Sequence, residues 1–123
     1  FNLGTEIYGK LGWILVDTKY EFGRTDENEI IIIDEVHTPD SSRLWVQETY
    51  VQKTESGEAP EMLDKENVRR YLMSKGYSGE GDVPEVPAEQ LVSLAKVYLT
   101  VAEKLRGKEF HVDAVKCDFN ALL

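Results

Sequence analysis

The chain has 123 residues, 41% hydrophobic and 30% charged, which is enough for one globular domain and not comfortably two. A formal net charge of −9 at pH 7 argues against broad electrostatic binding to nucleic acid or to an anionic membrane. It leaves open a phosphorylated small molecule, held by a few local cations or by a metal that reverses the sign of its site.

Residue 1 is Phe, and the chain opens on what reads as the last turns of a helix, Asn2 to Leu11, stopped by Gly12. Such an opening reads as a piece cut from something longer. Trp13 to Gly23 reads as a strand, apolar in its first half and alternating in its second. Alternate side chains of a strand share a face, so Asp17, Lys19 and Glu21 are expected together, with Thr18, Tyr20 and Phe22 on the other side. Arg24 to Asn28 is a polar connection. Glu29 to Val36 reads as a second strand, whose four consecutive isoleucines suggest burial on both faces. A connection of about five residues makes an antiparallel hairpin the default.

Thr38 to Ser42 is a loop around Pro39. Leu44 to Val51 reads equally as helix or strand. Lys53 to Pro60 is a polar loop. Asp64 to Lys75 reads as a helix capped by Asp64, with Asn67 three residues on. Gly76 to Pro87 is a loop. The clearest helix is Ala88 to Leu105, where Leu91, Leu94, Ala95, Tyr98, Leu99, Ala102 and Leu105 follow helical spacing and Gly107 ends the run. Val92, Val97 and Val101 widen the stripe, so this helix is expected to pack on a sheet and touch a second surface. The tail from His111 has no clear pattern. The elements together give an α+β fold, an antiparallel sheet packed with helices, in a single domain spanning 1–123.

Cys117 is the only cysteine, so no internal disulfide can form, and no Asn-x-Ser/Thr sequence occurs. Both lean towards a reducing, cytoplasmic compartment. The longest aliphatic run, Ile30 to Ile33, is far too short to span a bilayer.

The hairpin geometry points to chemistry. Facing side chains of paired strands lie about 4.5–5.5 Å apart. A turn near Asp26 therefore brings Lys19 towards the Ile33–Asp34 end of the partner strand. If Asp34 shares a face with Glu21, two carboxylates converge, and a cation is needed to separate them. Mg²⁺ suits such a pair, because it takes one or two carboxylates plus phosphate oxygens. A one-residue slip would send Asp34 to the wrong face. Asp40-Ser41-Ser42-Arg43 offers hydroxyls and an arginine fork for a phosphate or carboxylate; the plainer reading is a turn with a surface ion pair. His37 reads as a hydrogen-bonding loop residue, Cys117 as an inert thiol, and Lys65, Arg69 and Arg70 as a solvated basic face. No phosphate-loop, dinucleotide or nucleophile-elbow signature is present, and the glycines from Gly76 to Gly81 have the wrong spacing for one.

Leu15-Val16-Asp17-Thr18-Lys19-Tyr20-Glu21-Phe22-Gly23 and Asp34-Glu35-Val36-His37-Thr38-Pro39-Asp40-Ser41-Ser42-Arg43-Leu44-Trp45 resemble the signature stretches of the SAICAR synthetase family, the phosphoribosylaminoimidazole-succinocarboxamide synthases of de novo purine synthesis. Leu63 to Arg69 resembles the family's continuation. The resemblance implies an ATP-grasp-like C-terminal lobe and an ATP-dependent C–N ligase. Its reaction joins L-aspartate to the carboxylate of carboxyaminoimidazole ribonucleotide through an acyl phosphate, giving SAICAR, ADP and phosphate with Mg²⁺ as cofactor. It also implies roles. Glu21 and Asp34 are the magnesium–nucleotide acids, Lys19 faces phosphate or the substrate carboxylate, and Asp17 sits in the substrate pocket, Lys19 and Asp17 being the catalytic pair. Ser42 and Arg43 hold the ribonucleotide's phosphate end, with Asp40 and Ser41 shaping that loop. The family suggests a homo-oligomer. Its N-terminal ATP lobe has no counterpart here, so the chain is expected to be inactive alone. The competing expectation is a non-catalytic α+β nucleotide- or protein-binding module.

Overall fold

A computed structural model describes residues 1–108; the tail from His111, with Cys117, lies outside the described residues. The elements in order are α1 (Asn2–Lys10), β1 (Trp13–Thr18), β2 (Phe22–Arg24), β3 (Ile30–Ile32), β4 (Ser42–Val46), α2 (Gln47–Glu55), α3 (Glu66–Ser74) and α4 (Ala88–Arg106). The fold is α+β, as expected. Gly12 follows α1 at φ +79° and Gly107 caps α4 at φ +64°, both left-handed positions where a Cβ would be strained.

Two antiparallel ribbons carry the sheet structure, and they differ from the expected hairpin. The run from Trp13 to Gly23 is not one strand. It pauses at Lys19–Glu21, and only its end, β2, pairs with β3, through Phe22↔Ile32, Gly23↔Ile31 and Arg24↔Ile30. Its first part, β1, pairs with β4 instead, which lies far along the chain. The undecided stretch from Leu44 contains both structures: strand to Val46, then helix α2, which runs to Glu55 and takes in the start of the expected loop.

The β1–β4 register contains a bulge. Leu15 pairs with Leu44, and the next pair is Asp17 with Arg43, so one extra residue of β1 faces β4. Leu15 and Leu44 are buried. In a regular strand Asp17 would share the face of Leu15 and enter the core. The extra residue turns Asp17 to the opposite side, where Arg43 stands.

The core is formed by Tyr8, Trp13, Leu15, Leu44 and Val101, with Leu11 and Leu63 packed against it. Helix α4 joins it near its C-terminal end, and Lys104 lies with its ammonium 4.9 Å from the centre of the Trp13 ring. The broad apolar stripe expected of α4 is only partly used: Val101 is buried, whereas Leu91, Val92, Leu99 and Leu105 are exposed. The expectation for the isoleucine run fails outright. Ile30, Ile31, Ile32 and Ile33 are all exposed, because β2 and β3 form an isolated two-stranded ribbon with neither face covered by the described residues.

Candidate functional site

Residues 19–21, between β1 and β2, run against the loop that leads into β4. The Lys19 amide donates to the Ser41 carbonyl at 2.9 Å, and the Ile33 amide donates to the Glu21 carbonyl at 3.0 Å. These two backbone bonds fix the local register. The Lys19 ammonium then sits 2.5 Å from Glu21 Oε1 and 3.7 Å from Asp34 Oδ2. Glu21 and Asp34 thus meet on one side around a shared cation, which is the arrangement the hairpin argument required, although regular alternation did not produce it. The adjacent Glu21 carboxylate raises the Lys19 pKa, with a smaller contribution from Asp34.

Beside this pair lies a cleft of about 410 Å³ whose lining includes Asp17, Lys19, Asp40, Ser41, Ser42 and Arg43. All of these were expected from sequence at the substrate site. The Arg43 guanidinium donates to both oxygens of Asp17. That bond holds the Asp17 carboxyl below its ordinary pKa, with burial opposing it. The loop Thr38–Ser42 is closed by its own hydroxyls. The Thr38 amide donates to Ser41 Oγ at 3.1 Å, and the Ser41 amide to Thr38 Oγ1 at 3.2 Å. The Ser42 amide donates to the Thr38 carbonyl at 2.9 Å. Ser42 is buried, and its hydroxyl donates to Thr18 Oγ1 at 2.9 Å. That bond joins β4 to β1.

Three residues that sequence reasoning set aside also line the cleft. Lys65 and Arg69, expected on a solvated face, stand on its far wall. Lys65 donates to Asp40 Oδ1 at 2.7 Å and lowers the Asp40 pKa; Arg69 pairs with Glu66. Arg70, the third member of that basic group, does not line it. Asp64 is 2% exposed, and its two oxygens accept from the Leu44 amide at 3.1 Å and the Glu66 amide at 2.7 Å. Burial pushes its carboxyl pKa up, against the pull of those donors. Asp64 therefore satisfies an amide near the start of α3, close to the cap role expected of it, but α3 begins at Glu66, and Asp64 equally ties β4 to that helix. Asn67 instead donates to the Met62 carbonyl at 3.4 Å. The pairing of Lys65 with Asp40 and the span from Asp64 to Leu44 are long-range contacts that no local spacing announces.

His37 is a loop residue held by hydrogen bonds, as expected. Its backbone is left-handed at φ +56°, its carbonyl accepts from the Tyr8 hydroxyl, and its Nε2 bonds the Tyr20 hydroxyl. Burial lowers its pKa.

The chemistry available is therefore that of an anion cleft whose cations already have acidic partners: Lys19 with Glu21 and Asp34, Arg43 with Asp17, Lys65 with Asp40, Arg69 with Glu66. Among the described residues no group of three or more His, Cys, Asp or Glu side chains is arranged to hold a metal by itself. Two carboxylates gathered on one ammonium fit instead a hard divalent cation that completes its shell with phosphate oxygens and water. Among the described residues no helix is long and apolar enough to cross a membrane.

Residues 1–86 match the family model described as SAICAR synthetase. The chain is 40% identical over 124 residues to the phosphoribosylaminoimidazole-succinocarboxamide synthase of Flavobacterium psychrophilum, covering 99% of this chain and 38% of that protein. It is 46% identical over 112 residues to the synthase of Bacteroides fragilis, covering 89% of this chain and 35% of that protein. It thus spans little more than a third of the length of these curated relatives. Among solved structures, SAICAR synthase from Saccharomyces cerevisiae complexed with SAICAR matches at TM-score 0.68 and 32% identity, covering 89% of this chain and 35% of that one. A type-2 SAICAR synthetase in complex with ADP matches at TM-score 0.58 and 26% identity, covering 89% of this chain and 34% of that one.

Proposed function

The chain belongs to the SAICAR synthetase family, and from that premise we propose that it forms the substrate- and metal-side portion of an ATP-dependent ligase of purine biosynthesis. The reaction joins the amine of L-aspartate to the carboxylate of carboxyaminoimidazole ribonucleotide. The carboxylate takes the γ-phosphoryl group of ATP, ADP leaves, and the aspartate nitrogen then displaces phosphate from the acyl carbon as it loses a proton.

Glu21 and Asp34 are the residues that would hold Mg²⁺, which when bound neutralises charge on the transferring phosphoryl group. Lys19, between them, turns its ammonium to a phosphate or carboxylate oxygen of the reactants. Arg43 supplies a planar fork for the ribonucleotide's phosphate end, and the closed turn Asp40–Ser42 sets the position of that fork. Asp17 orients Arg43 and lines the substrate pocket. The work of these side chains is positioning and charge compensation rather than covalent catalysis. The remainder of the active site comes from protein beyond this third of the family's length, so the chain by itself is expected to be inactive. A cytoplasmic, homo-oligomeric enzyme is the corresponding expectation for the whole protein.

One observation carries this reading: Glu21 and Asp34 converge on Lys19 at the edge of the Asp17–Arg43 cleft. The test is formation of succinocarboxamide by the full-length protein as the cell makes it, supplied with ATP, Mg²⁺, aspartate and the carboxylated ribonucleotide. Glu21→Ala and Asp34→Ala should each lower turnover by about 100-fold or more while leaving the melting temperature nearly unchanged. Normal turnover in either variant would remove the metal assignment. No product from the wild-type protein would favour a non-catalytic binding module.

A further inference from the structure

Tyr20 lies between Lys19 and Glu21, and His37 lies between Asp34 and the Thr38–Arg43 segment. Their side chains meet: the Tyr20 hydroxyl bonds His37 Nε2, and the two ring centres are 5.4 Å apart. His37 is in turn fixed from behind. Its carbonyl accepts from the hydroxyl of Tyr8, a core residue of α1. Its ring rests against Gly4 on the same helix, so closely that a Cβ at position 4 would fall 2.3 Å from the ring atoms. The left-handed backbone at His37, uncommon for a residue with a side chain, is what aims the ring into that notch.

Nothing in the ligase chemistry proposed above uses these groups, yet they join the two segments that carry the metal acids. We infer that Tyr20 and His37 are positioning residues: their hydrogen bond, seated on the Gly4 notch of α1, sets the separation of Glu21 from Asp34 and with it the affinity for the divalent cation. Apart from the exposed Lys19–Asp34 ion pair, the segment Lys19–Glu21 has little else to hold it. It belongs to neither strand, and its backbone is tied by the Lys19 to Ser41 bond and the Glu21 to Ile33 bond alone among the described residues. A latch between the two segments limits how far the carboxylates can drift apart, and a group that orients metal ligands from outside typically changes metal affinity or activity by about 10–100-fold when removed.

The inference rests on the ligase reading for its first readout and is independent of it for its second. Tyr20→Phe removes one hydroxyl, and Gly4→Ala displaces the ring, and with it the neighbouring core side chain of Leu15, from outside the site. In the full-length protein each should raise the Mg²⁺ concentration needed for half-maximal ADP release by about 10-fold, with the KM for aspartate unchanged; the melting temperature should be little altered in Tyr20→Phe and lowered in Gly4→Ala, whose Cβ also presses on Leu15. An unchanged Mg²⁺ requirement in Tyr20→Phe overturns the inference, as does a lowered melting temperature without any change in Mg²⁺ requirement. If the wild-type protein releases no ADP, the ligase reading fails and hydrogen exchange decides the latch. The amides of Lys19 and Ile33, held by Ser41 and Glu21, should exchange about 10-fold faster in both variants; equal protection in Tyr20→Phe overturns it.

Discussion

The two ribbons of this molecule carry neighbouring parts of one site on opposite kinds of support. Ribbon β1–β4 buries Leu15 and Leu44 against α1 and α4, and it holds Asp17 and Arg43 on its outer side through a bulge. Ribbon β2–β3 is three residues long on each strand, its isoleucines are exposed, and it flanks Glu21 and Asp34. The Asp17–Arg43 pair, proposed to face substrate, is therefore anchored by the hydrophobic core. The Glu21–Asp34 pair, proposed to hold the metal, depends on backbone bonds and on Lys19. Burial sets which half of the site is preorganised.

The comparison breaks most visibly by emptying the core beneath the first ribbon. Leu44 is fully buried, and Leu44→Ala should cost about 2–5 kcal/mol of folding stability, which for so small a domain approaches complete unfolding. Ile31→Ala, on the second ribbon, should change stability by no more than about 0.5 kcal/mol in this chain. Urea melts of the two variants side by side measure the difference; equal losses would mean that the ribbons share one core. Next in size is Asp64→Asn. An amide offers one acceptor oxygen and turns its NH₂ on the second backbone donor, so either the Leu44 or the Glu66 amide goes unpaired. A loss of about 1–3 kcal/mol is expected by the same melt, because an unsatisfied buried amide costs roughly that much.

The smallest effect concerns pH. Asp17, paired with Arg43, has a folded pKa below its ordinary value of 3.8. Its contribution is present above pH 3.8 and fades as pH falls through the lowered value. Half-exposed as it is, the pair is worth less than about 1 kcal/mol. The stability gap between wild type and Asp17→Asn should therefore narrow as the pH of the melt drops below 3.8. Asp64, with a raised pKa, works in the opposite sense: its ionisation costs stability as pH rises through that value.

Much of the site was legible in sequence because its residues cluster in two short segments. A turn near Asp26 brings Lys19, Glu21 and Asp34 within reach of one another, and the Lys19–Ser41 and Ile33–Glu21 backbone bonds fix the register in which they meet. The bulge was not legible. Alternation assumes a regular strand, and the extra residue that turns Asp17 outward shows itself only in the pairing with β4. The stretch after Leu44 stayed ambiguous for a simple reason: it changes from strand to helix at Val46. The isoleucine run misled because apolarity records what a segment prefers to contact, and in this chain nothing among the described residues meets that preference. Lys65 and Asp64 were underrated because their partners Asp40 and Leu44 lie 20 or more residues away, beyond the reach of any periodicity; Arg69 pairs locally with Glu66, and only the tertiary fold brings it to the cleft.

The pairing of every named cleft cation with a resident carboxylate has a consequence for selectivity. A lone inorganic phosphate entering the cleft must evict an acid from its arginine or lysine and leave that acid stranded, so it gains little by staying. A ligand that arrives with its own divalent counterion can exchange partners instead, giving its anion to the lysine and its metal to the released carboxylates. On the proposed reading, such a cleft would favour anions that arrive with their own divalent counterion over bare ones.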